Sequence, residues 1–122
     1  MVAGVSIAVI DDDDSLRIAL IALVRSAGYT ARGFGSAEEF LADGTAQSFA
    51  CLITDIQMPG MSGIELNEQL AVTGRKLPVI MITARHDAGL EERAMASGAL
   101  CFLRKPFEAD ALIHCLERAL NA

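Results

Sequence analysis

Four short apolar segments in this chain each end abruptly at residues suited to phosphate or metal chemistry. The segments are rich in aliphatic and β-branched residues, and longer helix-like segments separate them, which is typical of the buried strands of a parallel α/β sheet. Open α/β sheets bind ligands beyond the carboxyl ends of their strands. We therefore expect the polar residues that follow the four segments to converge on one pocket; they are Asp11 and Asp12, Asp55, Thr83, and Lys105 with Pro106.

Strands and helices are predicted to alternate along the whole chain as five βα units. The predicted strands are 6–10, 29–34, a third that ends at Asp55, 78–82 and 100–104, and the second of these resembles an edge strand. The predicted helices are one from Asp13 or Asp14 to a residue before Gly28, then 36–42, 64–72, 87–97 and 108–120. Because crossovers are right-handed, these units predict a flavodoxin-like, doubly wound, five-stranded parallel sheet of order 2-1-3-4-5.

The composition is that of one globular domain. The chain has 122 residues, of which 52% are hydrophobic, and this length is sufficient to bury a core. No apolar stretch reaches the length of a membrane span, and the first residues lack the basic start of a secretory signal, so we predict a cytoplasmic protein with three reduced cysteines. The net charge of −6 is unfavourable for direct nucleic-acid binding by this domain.

Three clustered carboxylates repel one another. Two like charges about 4 Å apart repel by roughly 4 kcal/mol at an effective dielectric constant near 20, so either one carboxyl is protonated or a cation is bound. Mg²⁺ prefers oxygen ligands, and Lys105 supplies a second cation. Together with the Thr83 hydroxyl these groups suit a phosphoryl group, and Asp55, which ends the most central predicted strand, is the best candidate nucleophile.

Each of these features also has an ordinary structural explanation. The acidic run 11–14 could simply cap and solvate a helix, Asp55 could be a turn residue, and Thr83 could be a helix cap. Their joint occurrence at strand ends in this order is much harder to explain by chance. The run also permits a metal-binding pair at Asp12 and Asp13, but the strand end at Ile10 favours Asp11 and Asp12.

Taken together, these residues resemble the receiver domains of two-component response regulators over nearly the whole chain. The matching motifs are Asp11-Asp12, Asp55 within Thr-Asp-Ile-Gln-Met-Pro-Gly-Met-Ser-Gly, Thr83-Ala84 and Lys105-Pro106-Phe107. The segments 36–41 and 61–66 further resemble the FixJ-like subfamily, whose members usually carry a C-terminal helix-turn-helix domain that binds DNA.

The resemblance implies a role for each matching residue. Asp55 would accept a phosphoryl group from a phosphohistidine of a sensor histidine kinase. Asp12, Asp55 and the backbone carbonyl of Gln57 would ligate Mg²⁺ or Mn²⁺, with Asp11 acting mostly through water. Thr83, the backbone N–H of Ala84 and Lys105 would contact the phosphoryl oxygens, and Phe102 would be the aromatic switch residue.

Two further expectations concern conformation and assembly. We expect the Lys105–Pro106 peptide to be cis, which would direct the lysine side chain over the strand ends. We also expect phosphorylation to change the surface formed by helix 4 and strand 5 and to promote a homodimer there, because Thr83 and Lys105 connect the site to that surface. Met95 is a possible contact in this dimer.

Two other classes of protein use comparable residues. A phosphohydrolase with an aspartyl nucleophile usually has a second acid two residues after it, where this chain has Gln57. A nucleotide- or flavin-binding module requires a glycine-rich loop after the first strand, and this chain has four aspartates there. Both alternatives are therefore weaker than the receiver interpretation.

Overall fold

The computed structural model describes residues 5–44, 48–74 and 77–121 as alternating strands and helices. The strands are β1 (Ser6–Ile10), β2 (Thr30–Phe34), β3 (Cys51–Asp55), β4 (Val79–Thr83) and β5 (Cys101–Arg104). The helices are α1 (Asp14–Ser26), α2 (Ala37–Asp43), α3 (Gly63–Val72), α4 (Leu90–Ala96) and α5 (Ala109–Leu120).

The five strands form one parallel sheet of order β2-β1-β3-β4-β5, which confirms the predicted fold. β1 pairs with β2 on one side and with β3 on the other. The strand order therefore reverses between β1 and β3, which makes this position the switch point of the sheet. Every residue of β3 and of β4 is buried, as expected for strands covered on both faces. β2 is an edge strand, as its weaker apolar pattern predicted.

A hydrophobic core lies on each face of the sheet. On one face, α1 and α5 pack against the sheet through residues such as Leu20, Val24 and Leu116. On the other, α2, α3 and α4 contribute Phe40, Leu66 and other apolar side chains. No helix within the described ranges combines the length and apolar character that a membrane crossing requires.

Side-chain caps mark the starts of α1, α2 and α3. Asp13 is the N-cap of α1 and accepts a hydrogen bond from the backbone of Leu16 at 3.1 Å. Ser62 caps α3 in a capping box with Glu65, so this helix begins one residue earlier than predicted. Predicted helix 87–97 was too long, because Gly89 has a φ of +78° and the helix begins only at Leu90.

Candidate functional site

Asp11 follows β1 directly and is completely buried. Its backbone N–H donates to the carbonyl of Phe34 at 3.1 Å, which prolongs the strand pairing by one residue. Its carboxylate Oδ1 accepts from the backbone N–H of Asp13 at 2.9 Å, and its carbonyl accepts from Arg17 at 2.7 Å. These contacts fix the carboxylate at the switch point of the sheet.

Asp55, the last residue of β3, meets Asp11 at this edge because the two strands are neighbours. Asp55 is 7% exposed, whereas Asp12 is exposed to solvent. Asp11, Asp12 and Asp55 each offer a carboxylate oxygen, and these oxygens lie within 4.8 Å of one another. The structure therefore brings together the predicted aspartates and leaves Asp13 as a helix cap.

Lys105 provides the cation of the pocket. Its ammonium lies 3.1 Å from Oδ2 of Asp55 and 3.5 Å from Oδ2 of Asp11. The pairing of β5 with β4 extends one residue beyond the end of β5, because the Lys105 N–H donates to the carbonyl of Thr83 at 2.8 Å. This hydrogen bond holds the lysine at the strand ends. The Lys105–Pro106 peptide is cis, as predicted.

The electrostatic balance of the pocket favours a further cation. Burial raises the pKa of the Asp55 carboxyl, and the nearby Lys105 opposes that effect while Asp11 adds to it. Burial likewise raises the pKa of Asp11, against the hydrogen bond from the Asp13 backbone and the charge of Lys105. One ammonium therefore compensates three carboxylates incompletely, and a hard divalent ion with oxygen ligands fits this donor set.

Thr83 ends β4 at the same edge and is fully buried. Its hydroxyl donates to the side-chain oxygen Oε1 of Gln57 at 2.7 Å and accepts from the backbone N–H of Arg85 at 3.0 Å. The family resemblance implied only a backbone role for Gln57, so this side-chain contact was not foreseen. No sequence signal could have shown it, since it depends on the meeting of the loops that follow β3 and β4.

The loop between Asp55 and α3 is tightly packed against the strand end. The N–H of Gly63 donates to the carbonyl of Ile56 at 3.0 Å, and a Cβ at Gly63 would lie 2.5 Å from the backbone oxygen of Asp55. Glu38 of α2 accepts from the N–H of Met61 at 2.8 Å, which lowers the pKa of the Glu38 carboxyl. Sequence reasoning missed both contacts; the glycine at position 63 was a visible signal for the first of them.

Phe102 lies on β5, outside the acidic pocket. Its ring is half-buried and packs against the core under α2, α3 and α4. The guanidinium of Arg104 stands 5.1 Å from the ring centroid and 3.6 Å from the carboxylate of Glu91 on α4. The cation–π contact lies within β5, and the ion pair with Glu91 connects this strand to α4.

The chain is similar to known proteins over nearly its whole length. The family model described as "Response regulator receiver domain" matches residues 7–117. The transcriptional regulatory protein FixJ of Bradyrhizobium diazoefficiens is 40% identical over 113 residues, which cover 93% of this chain and 55% of that protein. The response regulator protein TodT of Pseudomonas putida is 38% identical over 113 residues, 93% of this chain and 50% of TodT.

Solved structures agree with this similarity. The crystal structure of FixJ-N superposes with a TM-score of 0.87 at 34% identity and covers 96% of this chain and 94% of its own. Full-length FixJ from B. japonicum gives a TM-score of 0.89 at 38% identity, over 99% of this chain and 59% of its own. The chain spans about half the length of the curated relatives it matches. With the aspartates, the threonine and the lysine gathered at one edge of a 2-1-3-4-5 sheet, the chain belongs to the response regulator receiver domains, the phosphoacceptors of two-component signalling.

Proposed function

We propose that Asp55 is the residue that accepts the phosphoryl group, from a phosphohistidine of a sensor histidine kinase. The observation that carries this proposal is the position of Asp55 at the end of central strand β3, only 3.1 Å from the Lys105 ammonium and beside two further carboxylates. Asp11 is a poorer acceptor because it is completely buried and already accepts a hydrogen bond from Asp13. Asp55 retains some exposure, so a phosphoryl donor can reach it.

The donor set supports Mg²⁺ or Mn²⁺ as the cofactor. Three carboxylate oxygens within 4.8 Å of one another, beside the ammonium of Lys105, suit a hard divalent cation that keeps part of its water shell. Asp12, Asp55 and the backbone carbonyl of Gln57 would hold it, with Asp11 acting mostly through water. When bound, the ion would supply positive charge to the phosphoryl oxygens.

The residues of the chain then perform a simple displacement. A carboxylate oxygen of Asp55 forms a bond to phosphorus while the phosphorus–nitrogen bond of the phosphohistidine breaks, and the imidazole leaves with the electron pair and takes up a proton. Lys105 moves its charge from the carboxylates to the phosphoryl oxygens, and Thr83 and the backbone N–H of Ala84 donate hydrogen bonds to them. Water attack on phosphorus later releases phosphate and restores the Asp55 carboxylate.

Mass spectrometry after incubation with acetyl phosphate and Mg²⁺ tests the acceptor. The wild-type protein should gain one phosphate, and both Asp55→Asn and a chelator should abolish the gain. Asp110→Asn, at an exposed position in the first turn of α5, is the matched control and should be labelled like the wild type. Full labelling of Asp55→Asn would refute the assignment.

We further propose that phosphorylation changes the surface of α4 and β5. Movement of Thr83 towards the phosphoryl group would vacate space behind it, and Phe102 would turn inward to fill that space. Phe102 now contacts Arg104, which pairs with Glu91, so its movement would alter the packing of α4. To change the ratio of active to resting conformation from 1:99 to 99:1, phosphorylation must stabilise the active conformation by about 5.5 kcal/mol relative to the resting one. Charge-assisted hydrogen bonds to the phosphoryl group supply a few kcal/mol each.

A homodimer through this α4–β5 surface is part of the same proposal. Met95 on α4 is 44% exposed and offers an apolar contact beside Arg104. Sedimentation velocity with beryllofluoride and Mg²⁺ should show a dimer for the wild type and a monomer for Thr83→Ala. If the wild type stays monomeric but shows chemical-shift changes on α4, only the dimer is disproved. If it stays monomeric and shows no such changes, the whole switch mechanism is disproved.

The remaining parts of the proposal concern the surroundings of the domain. We propose that the 122 residues act as one receiver domain in the cytoplasm, paired with a sensor kinase and with an output domain or partner. The net charge of −6 supports the proposal that any DNA contact is made by that output and not by this domain.

A further inference from the structure

Gln57 holds the hydroxyl of Thr83 in a short hydrogen bond of 2.7 Å. A threonine hydroxyl has a single proton to donate. While that proton points at Gln57, it cannot also point at a phosphoryl oxygen on Asp55. The resting contact and the proposed contact with phosphate therefore exclude each other.

The chemistry of the two neighbours favours this orientation of the amide. The Thr83 oxygen already accepts the N–H of Arg85 at 3.0 Å, and the side chain is fully buried. A buried donor left without an acceptor is costly. The amide oxygen of Gln57 satisfies the Thr83 proton, whereas the amide nitrogen in its place would leave that proton unpaired.

We infer that the side chain of Gln57 is a positioning residue that restrains Thr83 in the resting state and so opposes activation. This inference rests on the proposed function, since it takes the Thr83–phosphoryl contact as the competing bond. The Gln57 side chain is only half-buried, so water can take over its oxygen once Thr83 leaves. The restraint thus has the net strength of one ordinary hydrogen bond, which corresponds to a factor of about 2 to 12 in the resting-to-active ratio.

Replacement of the acceptor tests this inference. Gln57→Met keeps the length of the side chain but offers no amide oxygen, and Gln57→Asn is a second variant that shortens the reach. Neither changes the backbone carbonyl that is proposed to bind the metal. Gln69→Met, at an exposed position on α3, is the matched control for the loss of a glutamine.

The first readout uses the protein without metal or phosphate. We expect the Thr83 side chain to occupy one χ1 rotamer in the wild type and in Gln69→Met, and to average between rotamers in both Gln57 variants, as measured by methyl chemical shifts and three-bond couplings. If the degree of Thr83 χ1 averaging is the same in all four proteins, the inference is overturned, whatever the outcome of the phosphorylation experiments.

The second readout is the apparent dissociation constant of beryllofluoride in the presence of Mg²⁺. It should fall by about 2- to 12-fold in Gln57→Met, because a larger share of the protein is ready to bind, and stay unchanged in Gln69→Met. The difference should vanish in a Thr83→Ala background, which a merely structural role of Gln57 would not produce. Unchanged or weaker binding by Gln57→Met would refute the restraint, whereas failure of the wild type to bind would count against the proposed function itself.

Discussion

Removal of the Asp55 charge should stabilise the metal-free protein. At an effective dielectric constant near 20, the Lys105–Asp55 pair at 3.1 Å attracts by about 5 kcal/mol. Repulsion of Asp55 by a carboxylate within 4.8 Å amounts to at least about 3.5 kcal/mol for Asp11 and less for the exposed Asp12, which water screens. The attraction and the repulsion nearly balance, so the cost of burying the charge decides whether the Asp55 charge stabilises or destabilises the fold.

The raised pKa of Asp55 shows that burial dominates. Asp55→Asn removes that cost and retains the shape of the side chain, so we expect a gain of about 1–2 kcal/mol in the free energy of unfolding at pH 7 without metal. For a domain of this size, such a gain raises the melting temperature by roughly 3–10 °C. Differential scanning calorimetry in chelator-treated buffer measures it.

The pH dependence provides a second check. Because the native pKa of Asp55 is raised, its charge costs stability above that native pKa, and the cost disappears as the pH falls towards the unfolded value near 4. The advantage of Asp55→Asn should therefore shrink on acidification. Asp110→Asn, which loses a favourable charge in the first turn of α5, should show no gain. An Asp55→Asn protein no more stable than the wild type at pH 7 would refute this reasoning.

Three further predictions concern Lys105, Gly63 and the cysteines. Lys105→Met should raise the pKa of Asp55 further, as followed by carboxyl NMR titration, and slow acetyl phosphate labelling by about 100-fold; normal labelling would contradict the role of the lysine. Gly63→Ala should lower the free energy of unfolding by about 1–3 kcal/mol in urea titration, since its Cβ would lie 2.5 Å from the backbone oxygen of Asp55, and an unchanged midpoint would disprove this. Thiol titration of the unfolded, non-reduced protein should find all three cysteines free; a single free thiol would contradict it.

The sheet and the acidic edge were predictable because each depends on local patterns. Apolar runs such as 50–54 specify buried strands, and the strand order follows from general crossover rules. The start of α4 was not predictable in the same way. The predicted helix began at Asp87, but the positive φ of Gly89 delays the observed helix to Leu90.

Side-chain pairings across loops lay beyond sequence reasoning. The Gln57–Thr83 hydrogen bond joins residues 26 positions apart and depends on the rotamers that both adopt. The contact of Glu38 with the backbone of Met61 likewise requires α2 to approach the loop after β3. Patterns of residue type show which side chains reach an edge, but not which partner each one chooses there.

The assembly of the pocket from distant strand ends has a consequence for biosynthesis. Lys105 and Asp11 are 94 residues apart in the chain, and ribosomes add about 5–20 residues per second. The first carboxylates are therefore synthesised roughly 5–20 s before the lysine that neutralises them. During that interval the nascent chain contains acidic residues of the pocket without their cation, so competence to accept phosphate arises only after Lys105 has been added.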